Sequence, residues 1–190
     1  DGREAVVKVV RPGIGKQLRK DIDLLKTVAK LAEKVMQSGA RIQPLKVVCE
    51  FETVVFDELD MQREAANASI LRRNFKGSSD LYIPEVYWQW CKHKVMVMER
   101  VSGLQVGAIE VLRKHGVNLK KLARRGVRVF YTQVFRDNLF HADLHPGNIL
   151  VDATNPDDPT YIAMDFGIVA SLSTEDLYYI AENFKALFNQ

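Results

Sequence analysis

Two motifs decide the fold: His141-Ala142-Asp143-Leu144-His145-Pro146-Gly147-Asn148 and Asp165-Phe166-Gly167. The first contains an acid, Asp143, and an amide, Asn148, and the second supplies another acid, Asp165. Phosphoryl-transfer sites need such a set, because one Asp orients the nucleophile while the Asn and the second Asp hold magnesium on the nucleotide phosphates. Together the motifs predict a site for magnesium and a nucleotide.

Each motif alone is a weak signal and is compatible with different chemistry. His141, Asp143 and His145 could form a metal cluster, since His and Asp both ligate zinc. That alternative is a metallohydrolase, which would hold zinc tightly and act without a nucleotide. Alternatively, His141 has a structural role and supports the loop backbone rather than binding a metal. Asp143 and Asn148 could be turn formers, but this does not account for their spacing to Asp165.

The segment between the motifs predicts a β-hairpin. An apolar run, Ile149-Leu150-Val151, is followed by residues 152–159, which are rich in turn formers, and by a second apolar run over residues 161–164. Such a hairpin would bring Asn148 and Asp165 together at one end. Hard oxygen ligands with positions left for phosphate and water suit Mg²⁺.

Length and composition indicate an ordinary globular protein. The chain has 190 residues, of which 47% are hydrophobic and 27% charged, enough for one domain or two small lobes. The net charge of +3 is too small to indicate a nucleic-acid partner. Cys49 and Cys91 show no metal-ligand spacing and favour a reducing compartment. No apolar run approaches the roughly 18 residues that a membrane span requires.

Hydrophobic periodicity predicts an α+β protein rather than alternating βαβ units. The expected elements are a strand over residues 4–10, a helix to about Ser38-Gly39, a long helix over 45–75, strands over 81–87 and 95–98, a mainly helical stretch over 107–138, the hairpin, and a last helix capped by Ser173. Val101-Ser102-Gly103 is the expected boundary between a small lobe, residues 1–100, and a large lobe, residues 101–190. Because the chain starts in a strand and ends in a helix, we expect a fragment of a longer protein.

Five parts of the sequence form a recognisable combination: Val7-Lys8-Val9-Val10-Arg11-Pro12, residues 56–60 with 63–67, residues 131–136, residues 140–148 and Asp165-Phe166-Gly167. In this combination the chain resembles the UbiB family of atypical kinase-like proteins, in its bacterial branch. It implies a two-lobed protein-kinase-like fold with a mainly helical large lobe. The family's alanine-rich nucleotide loop and lysine-bearing extension would precede Lys8, so the small lobe is expected to be truncated at its N-terminus.

The resemblance also implies how the small lobe binds ATP. Lys8 would contact the α- and β-phosphates, and Glu64, on a helix, would pair with Lys8. Met98 would guard the pocket, while the backbones of Glu99 and Val101 would bind adenine.

In the large lobe, the resemblance assigns the catalytic acid and the metal ligands. Asp143 would act as catalytic base or would orient a water molecule. Asn148 and Asp165 would hold Mg²⁺ on the ATP phosphates.

The function implied by the resemblance is that of an Mg-ATP-dependent kinase or ATPase in ubiquinone biosynthesis. The full-length protein would act at the cytoplasmic face of the bacterial inner membrane, with isoprenoid quinone precursors and other ubiquinone-biosynthesis proteins as partners. A basic stretch over residues 113–128 could contact anionic membrane lipid, or could be a solvated helix face.

The connection after Gly167 bears on the substrate. Only residues 168–172 separate Gly167 from the capped helix, whereas protein kinases place a long activation loop there for peptide docking. This favours a small-molecule or lipid-like acceptor over a protein. The alternative is a nucleotide-gated module that binds quinone intermediates or regulates other proteins without catalysis.

Overall fold

The computed structural model describes residues 2–35, 43–142 and 145–188. The strands are β1 (Ala5–Val9), β2 (Leu81–Tyr82), β3 (Val95–Glu99), β4 (Leu104–Gln105), β5 (Phe140–His141), β6 (Ile149–Asp152), β7 (Thr160–Ala163) and β8 (Val169–Ala170). The helices are α1 (Ile14–Val35), α2 (Pro44–Asp57), α3 (Met61–Asn74), α4 (Ile109–Lys114), α5 (Leu119–Tyr131) and α6 (Thr174–Phe188). The expected end of the first helix, at Ser38-Gly39, lies outside the described residues.

The strands form three small sheets, which confirms the α+β class. β1 pairs antiparallel with β3, and this register places Lys8 opposite Met96. A four-stranded sheet has the order β2-β7-β6-β4, with β2 parallel to β7, and β5 pairs with β8. β2 therefore joins the early part of the chain to the later hairpin. The lobe boundary at residues 101–103 stays a prediction.

The hairpin between the two motifs is confirmed. β6 and β7 pair antiparallel from Ile149 opposite Ala163 to Asp152 opposite Thr160. At the open end, the backbone N–H of Met164 donates to the carbonyl of Asn148 over 3.0 Å. The backbone next to Asp165 is therefore fixed against Asn148.

The single long helix expected over residues 45–75 is wrong, because α2 ends at Asp57 and α3 begins at Met61. Asp60 has an extended backbone, and its carboxylate accepts hydrogen bonds from the backbone N–H groups of Gln62 and Arg63. Asp is among the preferred N-cap residues because it satisfies donors that have no intrahelical partner. This cap starts a new helix at α3.

The strand expected over residues 81–87 is also shorter than predicted. Only Leu81 and Tyr82 pair with β7, and Val86 makes an isolated bridge to Met98. Pro84 lies between them and has no backbone N–H to donate to a ladder.

The predicted N-cap of the last helix, α6, and the predicted helical stretch over residues 107–138 are confirmed. Ser173 Oγ accepts from the backbone N–H of Asp176 over 3.0 Å and donates to its carboxylate over 2.7 Å, so both partners of the cap are satisfied. Residues 107–138 contain α4, α5 and a π-helical turn over Thr132–Arg136.

The main hydrophobic core joins α3 to β3 and to the Asp-Phe-Gly motif. Ala65, Ala68, Met96 and Phe166 are each 0% exposed. Two alanines allow the helix backbone to approach the strand closely, and this packing sets the position of the polar face of α3. Within the described residues, no helix has the length and apolar character needed to cross a membrane.

Candidate active site

The polar face of α3 presents Glu64 and Asn67. These residues are three apart, so they lie next to each other on one helix face. Both are buried, at 4% and 9% exposure. Buried polar groups need partners, and both residues find theirs outside the helix.

The ammonium of Lys8 lies between two carboxylates. Lys8 projects from β1 and forms an ion pair with Glu64. Its Nζ also lies 3.4 Å from Asp165 Oδ2 and 3.5 Å from the carbonyl oxygen of Met164. The structure thus brings together three predicted site residues from distant parts of the chain.

Three side chains fix the turn that contains Asp165. The amide of Asn67 donates to the carbonyl of Phe166 over 2.9 Å, and the backbone N–H of Phe166 donates to Glu64 over 3.3 Å. His141 Nε2 lies 2.6 Å from the carbonyl of Asp165. A carbonyl can only accept, so Nε2 carries the proton and donates. This contact favours a structural role of His141 over metal ligation through the same nitrogen.

The environment of Asp165 keeps its carboxylate charged. Burial alone would raise its pKa, but a hydrogen bond from the backbone N–H of Gly167 and the nearby charge of Lys8 outweigh this effect. The pKa therefore lies below its usual value. An ionised carboxylate beside a polar cavity suits a hard divalent cation.

The predicted metal ligand Asn148 ends a 3₁₀ turn over Pro146–Asn148. His145 caps this turn, because its Nδ1 accepts from the backbone N–H of Gly147 over 3.1 Å. Among the described residues the side-chain amide of Asn148 has no hydrogen-bond partner, so it is available to a ligand. Asp143, the predicted catalytic acid, lies outside the described residues.

The predicted adenine-binding segment begins at the end of β3, which contains Met98 and Glu99, and continues to Val101. Met98 is 4% exposed and packs in the main core. The backbone N–H of Glu99 donates to Glu85, and the Glu99 carboxylate accepts from Tyr82 and from the backbone of Glu85. Val101 is half-buried just beyond the strand.

A polar cavity of about 230 Å³ opens at the ion pair. Its lining consists of Lys8, Glu58, Met61, Glu64, His141, Asp165, Gly167 and Ile168. The adenine-segment residues and Asn148 are outside this lining. The cavity thus combines a lysine ammonium, which suits a phosphate, with the ionised carboxylate of Asp165, which suits a divalent cation.

Sequence reasoning gave no role to two residues that shape the site. Asn67 lies in one of the segments that resemble the family, and its spacing of three from Glu64 was the available signal. Gln133 accepts from the backbone N–H of His141 over 2.9 Å. Gln133 also lies in a segment that resembles the family, residues 131–136, but no spacing to His141 indicated this contact.

Comparison with known proteins gives a consistent result. The family model described as an ABC1 atypical kinase-like domain matches residues 1–190. The chain is 50% identical over 190 residues to a protein named "Probable protein kinase UbiB" from Marinobacter nauticus. It is 53% identical over 189 residues to a protein of the same name from Pseudomonas aeruginosa. The matches cover 100% of this chain but only 35% and 36% of those relatives.

A solved structure also matches in fold. The complex of Rv3197 with erythromycin from Mycobacterium tuberculosis superposes with a TM-score of 0.64 and 28% identity. The match covers 90% of this chain and 41% of that one. A kinase-like fold is therefore shared between the two chains.

Proposed function

The chain belongs to the ABC1 atypical kinase-like family, and we propose that the protein containing it is an Mg-ATP-dependent kinase or ATPase that supports ubiquinone biosynthesis. The observation that supports this most is the convergence of Lys8, Glu64 and Asp165 on one polar cavity. The name shared by the bacterial relatives supports the ubiquinone role. The chain spans about 35% of the length of the first of these relatives, so the activity is proposed for the whole protein.

In the proposed mechanism the small-lobe residues position phosphate charge. Lys8 holds a positive charge at the cavity, and Glu64 fixes the direction of its side chain. The backbones of Glu99 and Val101 bind adenine, and Met98 closes the inner side of that pocket. Fixed charges and dipoles aimed at the phosphates lower the barrier because they need no reorganisation during the reaction.

The remaining roles belong to residues of the two motifs. Asp165 and Asn148 would hold the magnesium ion, which when bound neutralises charge on the phosphate oxygens. Asp143 orients a water molecule or an acceptor hydroxyl and accepts its proton. His141 and Asn67 hold the backbone around Asp165, so that its carboxylate faces the cavity.

The acceptor is proposed to be lipid-like, such as a quinone precursor, rather than a protein. β8 follows the Asp-Phe-Gly motif closely and pairs with β5, and Ser173 already caps α6. This leaves little chain for a peptide-docking loop. Strong labelling of peptide libraries by the intact protein with labelled ATP would contradict this proposal.

ATP hydrolysis by the full-length protein tests the proposed function. We expect release of phosphate that requires Mg²⁺ and changes when quinone-like phenols or anionic vesicles are added. Lys8→Met should abolish most of the turnover, whereas Lys94→Met, at an exposed position next to β3, should not. Equal turnover by the two variants would reject the role of Lys8.

A nucleotide-gated binding module is the second candidate. The solved relative is described in complex with erythromycin, which is not a nucleotide. A member of this fold can therefore hold a bulky lipophilic molecule. Tight nucleotide binding without phosphate release, even with lipid present, would favour this candidate over an enzyme.

Membrane contact at the cytoplasmic face of the bacterial inner membrane is proposed through the basic face of α5. Several of its cations are engaged internally: Arg125 with Asp80 and Asp158, Lys121 with Asp158, and Arg128 with Asp80. Lys120 and Arg124 form no ion pair among the described residues. Each could add about 1 kcal/mol of binding at an anionic surface. Sedimentation with anionic but not zwitterionic vesicles, weakened by Lys120→Gln with Arg124→Gln, is the expected result.

A further inference from the structure

A reciprocal pair of hydrogen bonds joins the chain before the first motif to the chain after the second. The side-chain amide of Asn138 donates through Nδ2 to the carbonyl of Leu172 over 2.9 Å. Its Oδ1 accepts from the backbone N–H of the same residue, also over 2.9 Å. Asn138 lies just before β5, and Leu172 lies just after β8. One side chain therefore holds both backbone groups of a residue on the opposite strand end.

These two bonds extend the ladder between β5 and β8. At the end nearer the site, the backbone N–H of Ala142 donates to the carbonyl of Ile168 over 3.0 Å. The register of β5 and β8, continued to the other end, places Asn138 opposite Leu172. In an antiparallel ladder, opposite residues exchange two hydrogen bonds at every second position. At Asn138 the side-chain amide takes the place of the backbone groups in this exchange.

The backbone of Asn138 shows why the side chain is needed there. Among the described residues, Asn138 is the one non-glycine residue with a positive φ, of 45°. This left-handed conformation is costly for most side chains, and Asn is one of the few that tolerate it. The turn is anchored on its other side, because the backbone N–H of Leu139 donates to the carbonyl of Gln133 over 3.0 Å. Backbone held in a sparsely populated conformation is a reason to look for a functional role.

The ladder connects this clamp to both site motifs. His141 ends β5 and donates through Nε2 to the carbonyl of Asp165, while β8 follows Gly167 closely. A shift of β8 along β5 would therefore move the backbone of Asp165 relative to the motif that contains Asp143. Both strands are two residues long, and short two-stranded pairs are marginally stable on their own. The two bonds of Asn138 are thus a large part of what holds this register.

We propose that Asn138 is a positioning residue for phosphoryl transfer. Through Leu172 it fixes the segment after the Asp-Phe-Gly motif against β5, and so sets Asp143 and Asp165 in the relative position that the reaction needs. Asn138 lies outside the lining of the polar cavity and acts through the two strands. Its role rests on the proposed function, which assigns Asp143 and Asp165 to one reaction.

The clamp replaces a device that many protein kinases use. Their activation loops follow the same motif and are ordered by phosphorylation, through new pairs between arginine and the phosphate. Here an uncharged amide within the chain orders the connection over residues 168–172. The site is therefore set without a modification of this segment.

Kinetics of ATP turnover by the full-length protein test the positioning role. Glycine adopts a positive φ freely, so Asn138→Gly removes the amide without adding backbone strain. The variant should lower kcat at least about tenfold, because small misplacements of reacting groups can cost up to about 100-fold. The KM for Mg-ATP should change less than about twofold, since Lys8 and the cavity lining keep their contacts. An unchanged kcat would overturn the role.

Asn118→Ala is the matched control. Asn118 caps α5, and its Oδ1 accepts from the backbone N–H of Lys121 over 3.0 Å, far along the chain from both motifs. Loss of this bond should lower the thermal midpoint by about 2–4 °C, as for a typical cap. It should leave kcat unchanged. An equal loss of kcat in the Asn138 and Asn118 variants would show a general effect of stability and would overturn the positioning role.

Amide hydrogen exchange in the full-length protein without nucleotide measures the clamp itself. In Asn138→Gly the backbone amides of residues 168–171 should exchange at least about tenfold faster, while those of the β6–β7 hairpin keep their rates. Asn138→Asp serves if the glycine variant fails to fold. It keeps the size of the side chain, but its ionised carboxylate cannot donate to the Leu172 carbonyl, so it should show the same two effects.

The two measurements separate the possible failures. Unchanged exchange in the folded variants would overturn the clamp. Faster exchange with an unchanged kcat would overturn the positioning role alone. Faster exchange in a protein whose wild type shows no ATP turnover would refute the proposed function, and with it the role of Asn138 in the reaction, and would leave the clamp standing.

Discussion

Replacement of Asn67 by Ala should destabilise the protein by about 2 kcal/mol. The Asn67 amide donates to the carbonyl of Phe166 over 2.9 Å, and Phe166 is 0% exposed. After the change this carbonyl loses its side-chain donor in a place that water cannot easily reach. A buried acceptor left without its partner costs about 1–3 kcal/mol, so a middle value is expected.

Thermal unfolding of the full-length protein measures this effect. For a domain of about this size, 1 kcal/mol corresponds to roughly 2–4 °C in the midpoint, so Asn67→Ala should lower it by about 4–8 °C. Asn74→Ala is the matched control, since it removes the same side chain from the same helix at a position without a side-chain hydrogen bond among the described residues. It should change stability by less than about 0.5 kcal/mol.

Kinetics separate a local effect from a general loss of packing. Asn67 holds the backbone next to Asp165, so its loss should lower kcat for ATP turnover more than it raises KM. Equal midpoints for Asn67→Ala and Asn74→Ala, together with equal kcat, would refute the reasoning that Asn67 fixes the turn.

Three further outcomes follow from the same contacts. Lys8→Met leaves the buried Glu64 without its cation and should lower the free energy of unfolding, measured by chemical denaturation, by about 3 kcal/mol. The double variant Lys8→Met with Glu64→Met should recover much of this loss, because it leaves no buried charge unpaired. An equal loss of stability in the single and the double variant would contradict the pairing. The pKa of Asp165 is lower in the folded state, so the stability it contributes is present above its unfolded pKa and is lost as pH falls through the folded pKa. The stability difference between wild type and Asp165→Asn should thus be constant from about pH 5 to 7 and shrink below about pH 4; a constant difference throughout would refute the shift. Asp143→Asn should lower ATP turnover by roughly 10²–10⁴-fold, and unchanged turnover would exclude its proposed role.

Local signals in the sequence predicted local structure well. The hairpin followed from two apolar runs around a turn-rich segment, and the cap of α6 followed from Ser173 and Asp176. The break between α2 and α3 was missed because Asp60 can lie within a helix or cap one, and the difference is only about 1 kcal/mol. Contacts remote in sequence favour the cap, since the backbone N–H of Met61 donates to the carbonyl of His93 over 3.0 Å.

The site could be predicted only in part, for a similar reason. Lys8 and Asp165 are 157 residues apart in sequence, so no periodicity relates them. The resemblance to the UbiB family predicted that Lys8 and Asp165 serve one site. Their spacing in the sequence could not have predicted this. The bond from Asn67 to Phe166 depends on how α3 packs against β3 and Phe166, which a linear pattern does not encode.

The contacts of α3 make the arrangement of the site cooperative. Glu64 accepts from the N–H of Phe166, and Asn67 donates to its carbonyl, so one helix face binds both backbone groups of a single residue. Glu64 also pairs with Lys8. A displacement of α3 large enough to break one of these contacts weakens the others, because a helix moves as a rigid unit and the close packing of Ala65 leaves no intermediate position. Lys8 and Asp165 are therefore placed together or not at all, and the position of α3 determines whether the two side chains meet.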